Sequence, residues 1–208
     1  MNSFVSYILL GLSLSAPIGP INAAQLDKGI KFGFLSAWLV GIGAMAADML
    51  FMLFIYFGIA QFVSIPIVKA FLWLFGTFVL IYTGIESIVH AKQSVMENTR
   101  AKQSGKRSFL TGFFMALSNP LNILFWLGIY GSILANTMET NDGITLLVYS
   151  SGIFIGILAW DATMAFVAST FRKVGNHNLL TFISIAAGIV LVGFGLYFGY
   201  QAVKMLFF

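Results

Sequence analysis

Two aspartates, Asp48 and Asp161, stand near the middle of long apolar stretches, in "GAMAADMLF" and "GILAWDATMAF". A charge at the centre of a bilayer costs at least about 2.5–3.5 kcal/mol, so the default reading of such a residue is functional. Two chemistries fit. A buried carboxyl suits a group that takes up and releases a proton during transport. It also suits a counter-ion for the ammonium group of a ligand. The plain alternative is a protonated Asp hydrogen-bonded to a neighbouring helix.

A second set of residues interrupts helices that composition alone would leave whole. "APIGPIN" (16–22) places Pro17, Gly19, Pro20 and Asn22 inside a run, residues 3–26, that carries no charge. "LSNPLN" (117–122) places Asn119, Pro120 and Asn122 in an equivalent setting. A proline inside a helix removes one backbone bond and clashes with the preceding turn, at about 3 kcal/mol. A helix that restarts at Pro20 or Pro120 uses proline where it is well tolerated, at the first helical position. The free N–H groups and positive dipole end of such a restart form an anion site. With no Lys or Arg deep in any span, these two helix starts are the available partners for a carboxylate. Asn22 and Asn122 either cap the breaks or bond a ligand directly. A pair of packed proline kinks is the structural alternative.

The elements that must position these residues are membrane spans. The chain is 59% hydrophobic and 9% charged, where a soluble domain has about 25% charged residues. Mean hydropathy is +0.94. Six apolar segments, about 3–26, 32–60, 65–89, 109–136, 143–171 and 179–205, meet the requirement of about 20 residues for a spanning helix. The expected fold is all-α and integral to the membrane, one transporter domain over 1–208. The first segment lacks the positive flank of a signal peptide. The absence of Cys excludes disulfides and thiolate metal sites.

Charge sets the expected orientation. Nine of the eleven Lys and Arg residues fall after the first, third and fifth segments. They comprise Lys28 and Lys31, a group from Lys92 to Arg107, and Arg172 with Lys173. These sites read as cytoplasmic loops, which puts both termini outside. The net charge of +4 is thereby assigned to membrane orientation and not to a nucleic-acid partner.

The motifs recur in order. Pro20-x-Asn22, then Gly43-x4-Asp48, then a Gly-rich helix is followed by Pro120-x-Asn122, Gly156-x4-Asp161 and a second Gly-rich helix. The copies cover about 1–90 and 109–208, joined by a polar cytoplasmic loop at about 90–108. Three crossings per copy is odd, so the second copy enters inverted, with helices 1 and 4 broken at proline. Inverted repeats with a midplane site on broken helices characterise secondary transporters.

"IGPINAAQLDKGIKFGF" (18–34), followed by "GIGAMAADMLF", resembles the start of the lysine exporter (LysE/RhtB) family of bacterial amino-acid exporters, and "LSNPLNILFW" (117–126) resembles its Asn-Pro segment. The resemblance implies export of amino acids or similar small solutes across the bacterial cytoplasmic membrane, driven by the proton or an ion gradient. Carried onto this chain, its positions are Gly19, Pro20, Asn22, Asp48, Asn119, Pro120 and Asp161. The chain reads Pro17-Ile-Gly-Pro20 where the homoserine/threonine-type branch has a compact Pro-Gly-Pro. The wider superfamily includes metal-ion exporters, so a cation exporter using Asp48 and Asp161 as oxygen ligands, with Asn22 and Asn122 adding carbonyls, is the alternative.

The remaining residues carry less. A membrane enzyme needs a nucleophile and a base at one depth, and the spans hold neither Cys nor His. No nucleotide fingerprint or other cofactor motif is present. Trp38, Trp73, Trp126 and Trp160 read as packing or interface anchors. The pairs Gly152/Gly156 and Gly195/Gly199 fit close packing inside the bundle and a homo-oligomer face equally well.

Overall fold

The computed structural model describes residues 3–17, 19–58, 65–89, 91, 104–119, 122–123, 126–128, 130, 143–174 and 177–207. All regular structure among them is helical: α1 (Ser3–Ser15), α2 (Pro20–Phe32), α3 (Phe34–Tyr56), α4 (Pro66–Val89), α5 (Gly105–Leu117), α6 (Gly143–Val174) and α7 (His177–Phe207). Four stretches, within α3, α4, α6 and α7, are long and apolar enough to cross a bilayer, and α1 with α2 makes a fifth if the bent pair is one span. The expected fourth span begins as α5, and helix is seen again at 122–123 and 126–128. Pro120, most of the connector at 92–103 and residues 131–142 lie outside the described residues.

The surface carries the side chains that a soluble fold would bury. Ile67, Phe78, Phe166, Phe182 and Leu196 are each more than 60% exposed. With lipid as the solvent this costs nothing, and helix association depends on close packing instead. Glycines supply it. A Cβ on Gly43 or Gly112 would run into the backbone of Phe109 or Val40 where α3 crosses α5. Gly84 and Gly188 make the same allowance between α4 and α7, each Cβ position lying 2.8 Å from the other residue's carbonyl oxygen. Gly152 and Gly156 face α1, while Gly195 and Gly199 face α4, so both Gly-x3-Gly pairs are used inside the protomer.

The helices pair as α1 on α6, α3 on α5 and α4 on α7, with α2 threaded among α3, α6 and α7. Gly33 alone joins α2 to α3. Its φ of +92° lies in the left-handed region that favours glycine, and its N–H bonds back to Gly29 O at 2.9 Å.

The tightness of that turn corrects one sequence-based expectation. Lys28 and Lys31 are not in a loop. They lie on α2, 2% and 6% exposed, beside Asp27 at 1%. Lys31 pairs with Asp27 one turn back at 2.7 Å and donates to Ser87 O at 2.8 Å. Lys28 meets Glu86 at 3.3 Å, and Arg107 at the start of α5 meets the other oxygen of Glu86 at 3.1 Å. Hydropathy places charges outside a span; here Glu86 on α4 and Asp27 on α2 itself supply the counter-charges that let α2 bury its lysines.

Glu86→Gln is expected to destabilise the protein by about 3 kcal/mol, because it leaves the Lys28 ammonium buried without its counter-charge. Adding Lys28→Met recovers most of that loss. Thermal unfolding in detergent checks both, and equal melting of Glu86→Gln and wild type would remove the network from the fold's support.

Candidate functional site

The chain breaks between Ser15 and Pro20, where α1 and α2 meet at 77°. Such an angle exceeds a simple proline kink and requires the helix to stop. Gly19 is the residue before the restart, with extended backbone, and Pro20 occupies the first helical position. The first intrahelical bond of α2 runs from Ala23 N–H to Gly19 O at 3.0 Å. The N–H groups of Ile21 and Asn22 precede it and have no partner within the helix.

Asn22 closes the break. Its Nδ2 donates to Ser15 O at 3.1 Å and to Pro17 O at 2.8 Å, taking carbonyls that the lost helix bonds leave open. Its Oδ1 accepts from Trp160 Nε1 at 3.0 Å. Of the two roles open to it in the sequence, capping is the one its bonds display. Asn122 does something different: its Nδ2 donates to Asp48 Oδ1 at 2.7 Å, and Trp126 Nε1 reaches the same oxygen at 2.8 Å. Asp161 Oδ1 accepts from Gln25 Nε2 at 2.9 Å. Each aspartate is therefore held by groups of the other half of the chain, and each sits on a long helix, α3 or α6, that faces a break.

These residues enclose one cavity of about 340 Å³. Gly19, Pro20, Asn22, Asp48, Asn119, Asn122 and Asp161 all line it, with Trp126 and apolar Leu14, Ile21, Met45 and Ile157. Seven of the eight residues singled out in the sequence thus converge, and the eighth, Pro120, lies outside the described residues. Asp48 and Asp161 are 8% and 4% exposed. Among the described residues no Lys or Arg lines the cavity. Among the described residues no group of three or more His, Cys, Asp or Glu converges.

Two indoles and one amide were not legible as parts of this site. Trp126, at its wall, donates to Asp48, and Trp160 donates to the lining residue Asn22, so neither indole is only a packing group. Gln25 is fully buried. The available signal was helical spacing: Gln25 follows Asn22, and Trp126 follows Asn122, by about one turn on the same helix face.

A cavity walled by a helix break and two carboxylates, within an apolar helical bundle, is the arrangement of a multi-pass membrane transporter. The comparisons agree: residues 12–202 match the family model described as LysE type translocator. The chain belongs to that family. It is 59% identical over 207 residues, 99% of each chain, to the "Putative amino acid efflux protein YcgF" of Bacillus subtilis (strain 168). It is 27% identical over 193 residues to the chemotactic transduction protein ChpE of Pseudomonas aeruginosa, covering 91% of this chain and 94% of ChpE. No solved structure is significantly similar. Family and apolar helices together make this a multi-pass protein of the cytoplasmic membrane.

Pro20→Ala tests the break. Alanine lets α1 and α2 join, so the variant is expected to insert and melt at or above the wild-type temperature while transport falls about tenfold. Undiminished transport of labelled amino acids by Pro20→Ala would return the proline to a packing role.

Proposed function

We propose that the protein exports amino acids or closely related small solutes, coupled to the proton gradient, through a site formed by Gly19, Pro20, Asn22, Asp48, Asn119, Pro120, Asn122 and Asp161. The observation that carries this is the cavity itself, which sets the free N–H groups at the start of α2 beside two buried carboxylates. The helix start receives the substrate carboxylate, and a carboxylate of the wall receives its ammonium. A volume of about 340 Å³ suits a solute of that size. The alternative of a hard metal cation is less well served. The groups already bound to the aspartates are N–H donors, and a cation such as Ca²⁺ requires six to eight or so oxygens.

The domain reading is six spans in two inverted copies, about 1–90 and 109–208, with both termini outside. It is supported by the exchange of partners between the halves, α1 on α6 and α3 on α5, with the third helices α4 and α7 packed on each other. Orientation is supported by one charged end. Lys28, Glu86 and Arg107 meet there, and Arg172 Nη1 lies 2.7 Å from the position of a Cβ on Gly33.

Two measurements test these points. Everted vesicles containing the protein are expected to accumulate labelled amino acids when a pH gradient is imposed and to lose that accumulation when it is collapsed. No accumulation of any amino acid would overturn the export reading. A tag after Phe208 is expected to be accessible on intact cells and one at Ser104 inaccessible; the reverse would invert the orientation.

A further inference from the structure

The two aspartates look alike in the sequence, but their hydrogen-bond partners differ in kind. Asp48 Oδ1 accepts two bonds, from Asn122 Nδ2 at 2.7 Å and Trp126 Nε1 at 2.8 Å. An indole N–H donates and cannot accept, so Trp126 fixes Oδ1 as an acceptor. Both bonds fall on Oδ1, which leaves Oδ2 to the cavity that Asp48 lines. Among the described residues Asp161 has one side-chain partner, Gln25, an amide that can donate or accept as Asn122 can, with no donor-only indole beside it. Gln25 Nε2 donates to Asp161 Oδ1 at 2.9 Å, while Gln25 Oε1 is buried with no hydrogen-bond partner among the described residues. A buried amide oxygen left without a donor costs about 1–3 kcal/mol, so its retention beside a carboxyl asks for an explanation.

We propose that the aspartates divide the work of coupled export: Asp161, positioned by Gln25, carries the proton, while Asp48, oriented by Asn122 and Trp126, turns its other oxygen to the cationic group of the substrate. The proposal rests on the export reading above and assigns roles within that site. When Asp161 is ionised, Gln25 Nε2 donates to it. When Asp161 takes a proton from water on one side of the membrane, its new O–H needs an acceptor. A half-turn of the Gln25 amide presents Oε1, and the pair is bonded in both states. The proton later returns to water on the other side, so the only bond made and broken is that O–H.

Space for the pair is provided by Gly41 on α3. A Cβ there would lie 2.5 Å from Asp161 Cγ and 2.6 Å from Gln25 Nε2. Other titratable groups on the helices packed against α6 leave this pair to itself. On α3, Asp48 lies across the same cavity. On α2, the bonds of Asp27, Lys28 and Lys31 run to one another and to α4. On α1, Tyr7 stacks on Tyr149 with centroids 4.1 Å apart. Arg172 and Lys173 are at the far end of α6.

The test uses the purified full chain reconstituted in liposomes, with two readouts on Asp161→Asn, Asp48→Asn and Gln25→Met. Infrared pH titration follows the C=O band of a protonated carboxylic acid and needs no substrate. Seven Asp and Glu side chains contribute to it; in the difference spectra the component lost in Asp161→Asn is expected to persist in Asp48→Asn and to shift its midpoint by about one pH unit in Gln25→Met. The second readout is the ratio of exchange to net, gradient-driven movement of a labelled mixture of the common amino acids. The ratio is expected to rise about tenfold in Asp161→Asn and in Gln25→Met. In Asp48→Asn both rates fall together and the ratio holds. A titration in Asp161→Asn that matches wild type, with no component lost, or loss of that same component in Asp48→Asn, overturns the division of roles. If Asp161→Asn fails to insert, an unshifted band in Gln25→Met overturns it equally. Absence of all amino-acid movement by wild type defeats the export reading instead, while the infrared arm still decides which aspartate binds the proton.

Discussion

Asp48→Asn is expected to lower net efflux and exchange of labelled amino acids together, by about tenfold or more, since a hydrogen bond to a charged group contributes about 1.5–3 kcal/mol. Asparagine nearly preserves the shape of aspartate but carries no charge. In place of the carboxylate it brings a second amide against Asn122 Nδ2 and Trp126 Nε1, with one oxygen where there were two. Insertion is not expected to suffer, because removing a buried charge eases transfer into the bilayer. The measurement is the initial rate of each process in everted vesicles matched for the amount of protein. Because the loss is one of binding, a raised substrate concentration restores part of the rate. Wild-type rates for both processes would reduce Asp48 to a structural acceptor between α3 and the helix after the second break.

Asn22→Leu is expected to have the largest effect on stability, a loss of about 3 kcal/mol or more. One side chain, 6% exposed, serves three groups across the break: Ser15 O, Pro17 O and Trp160 Nε1. Leucine leaves all three unpaired where lipid and apolar side chains offer no replacement. Thermal unfolding in detergent reads the loss, with Asn22→Asp as the partner variant. Aspartate keeps the acceptor for Trp160 and loses both donors, so it falls between wild type and Asn22→Leu. Equal melting of all three proteins would mean that water satisfies the break, and the capping role of Asn22 would be withdrawn.

Much of this protein is legible without its structure because lipid is a demanding solvent. Helix is the economical way to satisfy the backbone there, so uninterrupted apolar runs announced α3, α4, α6 and α7 nearly to their ends. For the same reason Pro20 and Asp48 stood out: an exception to an otherwise uniform chemistry is visible wherever it occurs. The sequence alone therefore determined the solvent, four of the long helices, the place of the first break and seven of the residues that line the cavity. Tertiary structure decided what those residues do to one another. Gln25 and Asp161 are 136 positions apart, Trp160 and Asn22 138, and Asn122 and Asp48 74. No local pattern encodes such pairs, because a glutamine on α2 looks the same whether it faces lipid, a serine or a carboxylate. Lys28 and Lys31 make the same point in reverse. Charge is repelled by a bilayer when it is alone, and hydropathy treats every charge as alone. Only the folding of α4 against α2, which brings Glu86 and Ser87 to them, makes their burial affordable.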